Sequence, residues 1–285
     1  MRPEPLEVTL ARLARLGYSG IEIMGEPTRY EAKPTRALLK QHKVECWGAV
    51  SIMLKCRDLI HGDHYLRLGS IEYLRDCITL VKELGGQIMT IVPSEVGKIT
   101  PMADAETEWK WAVEGLRRIA DHARKAKVGI AIEPLNRFET NFLNRHDQAL
   151  ALAGAVGEDV GVCLDAFHIN IEEADPFAAI KAVGKKLFNF HIADNNRRPP
   201  GEGTYDWKKL LKTLHDTGYR GFLTTEFVVP MDRSPLAAKA TESGTTATAE
   251  ELKFIRDHGS DLMSDAEYSG HFARCIKHIR KCEPK

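Results

Sequence analysis

Short apolar runs rich in β-branched residues alternate with longer segments of helical periodicity along most of the chain. This alternation is typical of βα units, in which crossover helices join parallel strands. Seven runs read as strands, at residues 20–26, 44–51, 86–93, 128–136, 160–168, 187–194 and 221–229. Eight segments read as helices, at residues 6–16, 35–42, 70–84, 109–127, 147–156, 175–183, 207–217 and 265–280. The pattern predicts an α/β fold with a parallel sheet.

A chain of 285 residues suits one (β/α)8 TIM barrel, which typically has about 250 residues. An open doubly wound sheet is the competing architecture, but its glycine-rich phosphate loop is missing, because Gly85 and Gly86 precede a strand instead of following one. A closed barrel needs eight strands, and this chain enters its first helix at Leu6 without a strand before it. We therefore predict a TIM barrel whose first strand is missing from this chain; either it lies upstream of Met1 or other residues replace it.

We expect residues 1–285 to form a single TIM-barrel domain. One segment, at about residues 230–264, breaks the βα rhythm because it is long and polar. Loops of this length in compact domains are usually lids, partner surfaces or disordered. We interpret the segment as an inserted loop or lid over the mouth of the barrel, and a surface loop with one helical stretch is the alternative.

Composition argues against several classes of function. The chain has 40 basic and 40 acidic residues, so its formal net charge of zero gives no overall attraction to nucleic acid or to an anionic membrane. No run approaches the roughly 18 apolar residues of a membrane helix, and the N-terminus lacks the apolar core of a signal peptide. The six cysteines include no CxxC pair, which is typical of reduced thiols. We expect a soluble, cytoplasmic protein that binds neither nucleic acid nor a membrane.

Charged side chains mark the carboxyl ends of four successive predicted strands: Glu133, Asp165, His191 and Glu226. In a TIM barrel these ends converge on the face where active sites are built. Three carboxylates at one point repel one another unless a cation lies between them. Oxygen and nitrogen ligands without a thiolate suit Mn²⁺, Mg²⁺, Co²⁺ or Zn²⁺. A single strand-end carboxylate is commonly a helix N-cap, but four such residues on successive strands predict a metal site.

Further polar residues follow these strand ends. Glu139 lies just beyond the fourth strand, over the expected mouth of the barrel, and Arg197 can make a two-pronged contact with substrate oxygens. His168 lies where a strand meets a helix, and there it either binds substrate or hydrogen-bonds a neighbour. Asn136 and Arg137 also have ordinary interpretations, as a turn residue and as one half of a structural ion pair.

The stretches EPLNRFE, LDAFH, HIADNNRRPPGEG and TTEF resemble the xylose-isomerase-like sugar phosphate isomerase/epimerase family, in particular its D-tagatose/D-psicose 3-epimerases and L-ribulose 3-epimerases. The resemblance runs from the first helix to the last strand. It implies a TIM barrel that binds one divalent metal, Mn²⁺ first and Co²⁺ next, through Glu133, Asp165, His191 and Glu226. It also implies that the carbonyl end of the substrate is held by Glu139, His168 and Arg197.

The resemblance implies that Glu133 and Glu226 are the acid/base pair of an epimerase or isomerase acting on a ketose or a related keto-sugar. One glutamate removes the proton next to the carbonyl, and the other returns a proton on the opposite face of a metal-stabilised enediolate. Relatives are commonly dimers or tetramers, which implies a homo-oligomer and leaves room for a partner subunit. Val228 departs from the pattern, because the 3-epimerases usually present an aromatic residue to the sugar there.

Other functions stay open at this point. A lyase could use the same metal site for elimination, as in inosose or dehydroshikimate dehydratases and the catalytic subunits of C-glycoside deglycosidases, and the long segment at 230–264 favours this alternative. A trinuclear zinc nuclease like endonuclease IV needs additional histidines at strand ends, and the neutral charge argues against a DNA groove. A barrel that binds a sugar or a metal without turnover is the non-catalytic alternative.

Overall fold

The wall of the molecule is a parallel β-sheet whose strands follow one another in chain order. The computed structural model describes residues 2, 4–54, 56–228 and 263–284. Within these residues the strands are β1 Gly20–Gly25, β2 Glu45–Ser51, β3 Ile88–Ile91, β4 Gly129–Ile132, β5 Val160–Asp165, β6 Leu187–Ile192 and β7 Leu223–Thr225. Every neighbouring pair is parallel. The sheet is a nearly closed TIM barrel, so the predicted fold class is confirmed.

Helices cover the outside of the sheet, because each buries one apolar face against the strands. In the described part of the chain they are α1 Leu6–Leu16, α2 Ala32–His42, α3 His64–Leu84, α4 Ala105–Ala126, α5 His146–Val156, α6 Ala166–Glu172, α7 Pro176–Val183, α8 Trp207–Asp216 and α9 Asp265–Cys282. One continuous apolar core joins the helices to the sheet; Leu74, Leu116 and Leu210 are completely buried in it.

A small apolar layer lies inside the barrel. Ile88, Ala131 and Cys163 form it, together with the partly buried rings of Trp47 and Phe188. Alternate residues of a strand share one face of the sheet. The positions two residues further along β3, β4 and β5 therefore point the same way and lie nearer the carboxyl-end mouth.

Two sheet edges, on β1 and β7, face each other where an eighth strand would complete the barrel. No further strand lies between them among the residues that the structure describes. Side chains cross this gap instead: the rings of Trp47 and Phe222 stack with centroids 4.8 Å apart, and Oγ1 of Thr224 donates to Oε2 of Glu22 at 2.7 Å. Helix α9 packs against α1 and α8 on the outside. The described residues thus supply seven strands, one fewer than a complete barrel has.

The structure corrects the predicted end of the fifth strand. The stretch 160–168 was predicted as one strand, but β5 ends at Asp165 and α6 begins at Ala166. The cause is a helix N-cap, because the side chain of Asp165 accepts the backbone N–H groups of Phe167 and His168. His168 therefore lies on a short helix and not on a strand.

The predicted insertion at about residues 230–264 lies outside the described residues except for its last two positions. None of the described helices is long and apolar enough to cross a membrane. All six cysteines fall within the described ranges, and none of them is in a disulfide.

Candidate active site

The four predicted metal ligands lie together at the carboxyl ends of four adjacent strands. Glu133 follows β4, Asp165 ends β5, His191 is the last residue but one of β6, and Glu226 follows β7. Each offers one atom, and these four atoms lie within 4.8 Å of one another. Nδ1 of His191 is 3.3 Å from Oε1 of Glu133 and 2.8 Å from Oε2 of Glu226. The strand-end pattern in the sequence thus corresponds to one cluster in space.

The cluster is buried on the side of the barrel interior and exposed to solvent on the side of the barrel mouth. The side chains of Glu133 and His191 are 3 % and 1 % exposed, whereas that of Glu226 is 40 % exposed. Oδ2 of Asp165 and Nδ1 of His191 are buried atoms without a hydrogen-bond partner among the described residues. Buried polar atoms are costly when they are left unpaired. Three carboxylates and one imidazole, whose ligand atoms lie within 4.8 Å of one another, form a donor set that fits a divalent cation.

Burial and neighbouring charges shift the pKa values of the cluster in different directions. Burial raises the pKa of Asp165 well above its ordinary value, and the charge of Glu226 adds to the rise. Burial also raises the pKa of Glu133. Burial acts the same way on Glu226, but His191 and Arg197 overcome it and hold the pKa of that carboxyl below its ordinary value. Because ligand carboxyls must lose their protons to bind a metal, cation binding and protonation compete here.

Glu22, on β1, is a buried carboxylate next to the cluster that is not among the predicted site residues. Its side chain is 1 % exposed, and Oε2 lies 3.0 Å from Nε2 of His191. Oε2 also accepts from Oγ1 of Thr224, and Oε1 accepts from Oγ1 of Thr90 at 2.8 Å. Nδ2 of Asn189 donates to both oxygens at 3.0 Å. Burial alone would raise the pKa of Glu22, but His191 and these donors hold it below its ordinary value.

A signal for Glu22 was present in the sequence. The residue interrupts the apolar strand GIEIMG, residues 20–25, and a charge inside a buried strand needs a partner. Glu22 is the third of six residues in β1, so it does not belong to the strand-end pattern that identifies the other four residues.

The three predicted substrate-binding residues lie beside the cluster on the mouth side. Nη1 of Arg197 donates to Oε1 of Glu139 at 3.2 Å and lies 3.4 Å from Nε2 of His168. The guanidinium stands over the ring of Phe167, 4.7 Å from its centroid, and Nη2 is 3.7 Å from Oε1 of Glu226. Arg197 has φ of 59°, a left-handed conformation that residues with a side chain rarely adopt outside constrained sites.

Asn136 connects these residues and sets the proton position on His168. Its backbone N–H donates to Nδ1 of His168 at 3.2 Å, and its Nδ2 donates to Oε1 of Glu139 at 2.8 Å. Its Oδ1 accepts the N–H of Phe138, so the predicted turn role is also present. Burial, with a contribution from the charge of Arg197, lowers the pKa of His168 to about 3. A neutral ring whose Nδ1 accepts a hydrogen bond carries its proton on Nε2.

Arg137 lies away from the cluster. It forms an ion pair with Glu172, with Nε 3.0 Å from Oε1, and its own side chain is 61 % exposed. The ordinary interpretation of Arg137, a structural ion pair, describes this geometry.

The loop that carries Arg197 is organised by Asp194, just after β6. Oδ2 of this buried carboxylate accepts the N–H of Gly201 at 2.8 Å and Nε1–H of Trp207 at 2.9 Å. Gly203 is packed so closely that a Cβ atom there would lie 2.2 Å from Oδ1 of Asp194. The loop is therefore tied to the end of a barrel strand, which gives Arg197 a defined position.

Comparison with known proteins agrees with the barrel and with the motifs. A profile described as a xylose isomerase-like TIM barrel matches residues 10–258. D-psicose 3-epimerase of Ruminiclostridium cellulolyticum is 33% identical over 282 residues, which cover 94% of this chain and 92% of the relative. D-psicose 3-epimerase of Agrobacterium fabrum is 29% identical over 227 residues, covering 76% and 77%.

Solved structures show the same fold. The structure of D-psicose 3-epimerase with D-tagatose from Clostridium cellulolyticum H10 superposes with a TM-score of 0.81 at 23% identity, covering 99% of this chain and 96% of the other. The structure of a 3-keto-D-glucoside 4-epimerase from E. coli gives a TM-score of 0.75 at 22% identity, covering 83% and 91%.

Proposed function

Because the chain belongs to the xylose isomerase-like TIM barrel family, we propose that it is a divalent-metal-dependent epimerase of a ketose or a closely related keto-sugar. Its curated relatives include D-psicose and L-ribulose 3-epimerases, which supports inversion next to a ketose carbonyl. One observation carries the proposal: the cluster at the ends of β4 to β7, in which two buried atoms have no hydrogen-bond partner in the described part of the chain. The cytoplasmic location and homo-oligomeric state expected from the sequence belong to the same proposal.

The cation would be held by Glu133, Asp165, His191 and Glu226. When bound, a divalent metal acts as a Lewis acid on a substrate carbonyl and so makes the neighbouring C–H more acidic. Mn²⁺ is our first choice from the family resemblance, with Co²⁺, Mg²⁺ and Zn²⁺ as alternatives that also accept oxygen and nitrogen ligands.

Glu133 and Glu226 are the residues that we assign to proton transfer. They follow β4 and β7, the outer two of the four strands, so their carboxylates approach the centre from two sides. One carboxylate can remove a proton from one face of the substrate carbon, and the other can return a proton to the opposite face. In the metal-free site burial raises the pKa of Glu133, whereas His191 and Arg197 hold the pKa of Glu226 low, so the two carboxyls have different electrostatic surroundings.

His168 and Arg197 would orient the substrate. Nε2–H of the neutral His168 and Nη1–H of Arg197 are both donors, and the two nitrogens lie only 3.4 Å apart. Two donors cannot hydrogen-bond each other. An acceptor within reach of both, such as a substrate oxygen, would accept a hydrogen bond from each. Glu139 holds the guanidinium from the other side and can accept a hydrogen bond from a substrate hydroxyl.

The product of the reaction tests the proposed function. We expect the Mn²⁺-loaded protein, incubated with a panel of ketopentoses and ketohexoses, to form an isomer of unchanged mass with one inverted centre next to the carbonyl. NMR and mass spectrometry identify it. Loss of water or of an aglycone would instead assign the protein to the lyases, and no turnover by protein with bound metal would contradict the proposal.

Two variants test the assignment of the proton-transfer residues. Glu133→Gln and Glu226→Gln should each lower kcat by about 10²–10⁴-fold, since each removes a general acid/base. Glu172→Gln is the matched control, because that largely buried carboxylate pairs with Arg137 and is not one of the cluster residues. Full activity in either of the first two variants would exclude the two-base mechanism.

A further inference from the structure

We propose that Glu22 is a positioning residue that fixes the tautomer and the orientation of His191, an inference that rests on the metal centre of the proposed function. The two nitrogens of the His191 ring face different surroundings. Nδ1 points into the cluster, 2.8 Å from Oε2 of Glu226, and Nε2 lies 3.0 Å from Oε2 of Glu22. A neutral imidazole binds a cation through one nitrogen and keeps its proton on the other.

The acceptor character of Glu22 decides which nitrogen carries the proton. An ionised carboxylate has lone pairs and no hydrogen to donate. Nε2 therefore approaches Oε2 of Glu22 as a donor, and Nδ1 of His191 keeps its lone pair for the cation. The carboxylate also limits rotation of the ring, since rotation would break this contact.

The other neighbours of Glu22 keep its carboxylate an acceptor. The hydroxyls of Thr90 and Thr224 and the amide of Asn189 all donate to it. The orientation of that amide is fixed in turn, because Nε1–H of Trp47 donates to Oδ1 of Asn189 at 2.9 Å. An indole N–H can only donate, so the NH₂ group of Asn189 is the side that faces Glu22.

A competing arrangement exists at Nε2 of His191. Nδ2 of Asn189 lies 3.1 Å from it and could donate to it, which would place the ring proton on Nδ1. In that tautomer the lone pair of Nε2 would face a carboxylate oxygen of Glu22 at 3.0 Å, and the two would repel. Nδ1 would also have no lone pair for a cation. With the proton on Nε2, the lone pair of Nδ1 faces Oε2 of Glu226 at 2.8 Å, and a cation bound in the cluster would remove that repulsion. The geometry therefore favours the proton on Nε2 in the metal-bound protein.

The tautomer can be read directly in the wild-type protein. We would load protein carrying ¹⁵N-labelled histidine with ¹¹³Cd²⁺ and record which nitrogen of His191 shows one-bond coupling to the metal. Coupling to Nδ1, with a proton on Nε2, supports the inference. Coupling to Nε2 overturns it while leaving a metal centre in place. Failure of the protein to bind Cd²⁺ or Mn²⁺ would overturn the metal centre itself, and the inference with it.

Variants then separate positioning from a structural role. Loss of a carboxylate that orients a ligand histidine typically weakens metal affinity by about 10–100-fold, and we expect this increase in the Kd for Mn²⁺ with Glu22→Gln. Glu22→Asp, which keeps the charge, should recover part of the affinity. Glu26→Gln is the matched control, because Glu26 follows the same strand and pairs with Arg57 at the surface, with 2.6 Å between Oε1 and Nη1.

Calorimetry gives the Kd for Mn²⁺ of each variant, and urea unfolding gives the stability of the metal-free proteins. An unchanged Kd for Glu22→Gln, with only the stability of the metal-free protein lowered, would show a purely structural role and overturn the inference. The ¹¹³Cd measurement needs no substitution, so it decides the question even if a Glu22 variant does not fold.

Discussion

Asp165 illustrates how one side chain can have two functions through its two oxygens. Oδ1 caps α6 by accepting the N–H of Phe167 at 2.6 Å and that of His168 at 3.4 Å. Oδ2 has no hydrogen-bond partner among the described residues and faces the cluster. The N-cap, which was the ordinary alternative for a strand-end carboxylate, and the candidate ligand are thus compatible, and the cap fixes the direction of Oδ2.

Substitution of Asp165 can separate its two roles. Asparagine caps helices about as well as aspartate, so Asp165→Asn should keep α6, while Asp165→Ala should lose about a further 1 kcal/mol of stability in the metal-free protein. Both variants should bind Mn²⁺ at least about tenfold more weakly, since a carboxylate ligand is lost. Urea unfolding and calorimetric titration measure the two effects. Wild-type Mn²⁺ affinity in Asp165→Asn would show that Oδ2 is not a ligand.

The depressed pKa of His168 predicts a pH dependence of stability. The folded ring has a pKa of about 3, whereas an unfolded histidine titrates near 6.5. Between these values the unfolded chain binds a proton that the folded ring does not, so the free energy of unfolding falls as the pH drops below about 6.5. Well inside this pH range, each further drop of one pH unit lowers the free energy of unfolding by about 1.4 kcal/mol.

His168→Asn removes this titration and can still accept the N–H of Asn136. Between about pH 6 and about pH 4.5 we expect the metal-free variant to lose about 2 kcal/mol less stability than the metal-free wild type. Urea unfolding at several pH values makes the comparison. Parallel curves for the two proteins would show that the folded ring titrates normally.

The four candidate ligands could be predicted from the sequence because their positions depend on one local rule. Each follows or ends a strand, and the carboxyl ends of parallel barrel strands meet on one face. Glu22 could not be placed by the same rule, since its function depends on contact with His191 across the barrel, far away in the sequence. Only the packed sheet brings the two side chains together.

At the scale of elements, strand starts were predicted more accurately than strand ends and helix starts. Helix α3 begins at His64 and α4 at Ala105, ahead of the predicted starts at residues 70 and 109. Asp63 and Asp104 cap these helices, and the first turn of α4, which reads AETE, is polar and carries no apolar periodicity. Helix α6 has only 7 residues, too few for a helical period to be recognised, and its apolar residues extend the pattern of β5.

The hydrogen bond between Thr224 on β7 and Glu22 on β1 should stabilise the contact between the two sheet edges. Thr224→Val removes the hydroxyl that donates from β7 to Glu22 on β1, and we expect a loss of about 1.5–3 kcal/mol, as for other hydrogen bonds to charged groups. Thr225→Val is the matched control on the same strand, because its Oγ1 lies 3.9 Å from the weak hydrogen-bonding Sγ of Cys275 and not against a carboxylate. Its effect should be within about 0.5 kcal/mol. Equal urea midpoints for the two variants would contradict a stabilising bridge across the gap.

At the scale of the whole molecule, the alternation of strands and helices, the chain length and the absence of a glycine-rich phosphate loop together predicted a TIM barrel. Consecutive βα units pack side by side with one handedness, so chain order becomes strand order. How the edges of β1 and β7 meet was not predictable, because stacking of Trp47 on Phe222 depends on residues distant in the sequence. The segment at about 230–264, interpreted as a lid, lies almost entirely outside the described residues.

The central claim is that this barrel moves a proton next to a ketose carbonyl with two glutamates at a metal centre. Proton exchange with solvent tests it most directly. We would incubate the Mn²⁺-loaded protein with ketoses in D₂O and follow the carbon next to the carbonyl by NMR. We expect deuterium at the inverted carbon of the product, and none with Glu133→Gln or Glu226→Gln. An epimer that forms without deuterium uptake, or no exchange with any ketose despite bound metal, would contradict the claim.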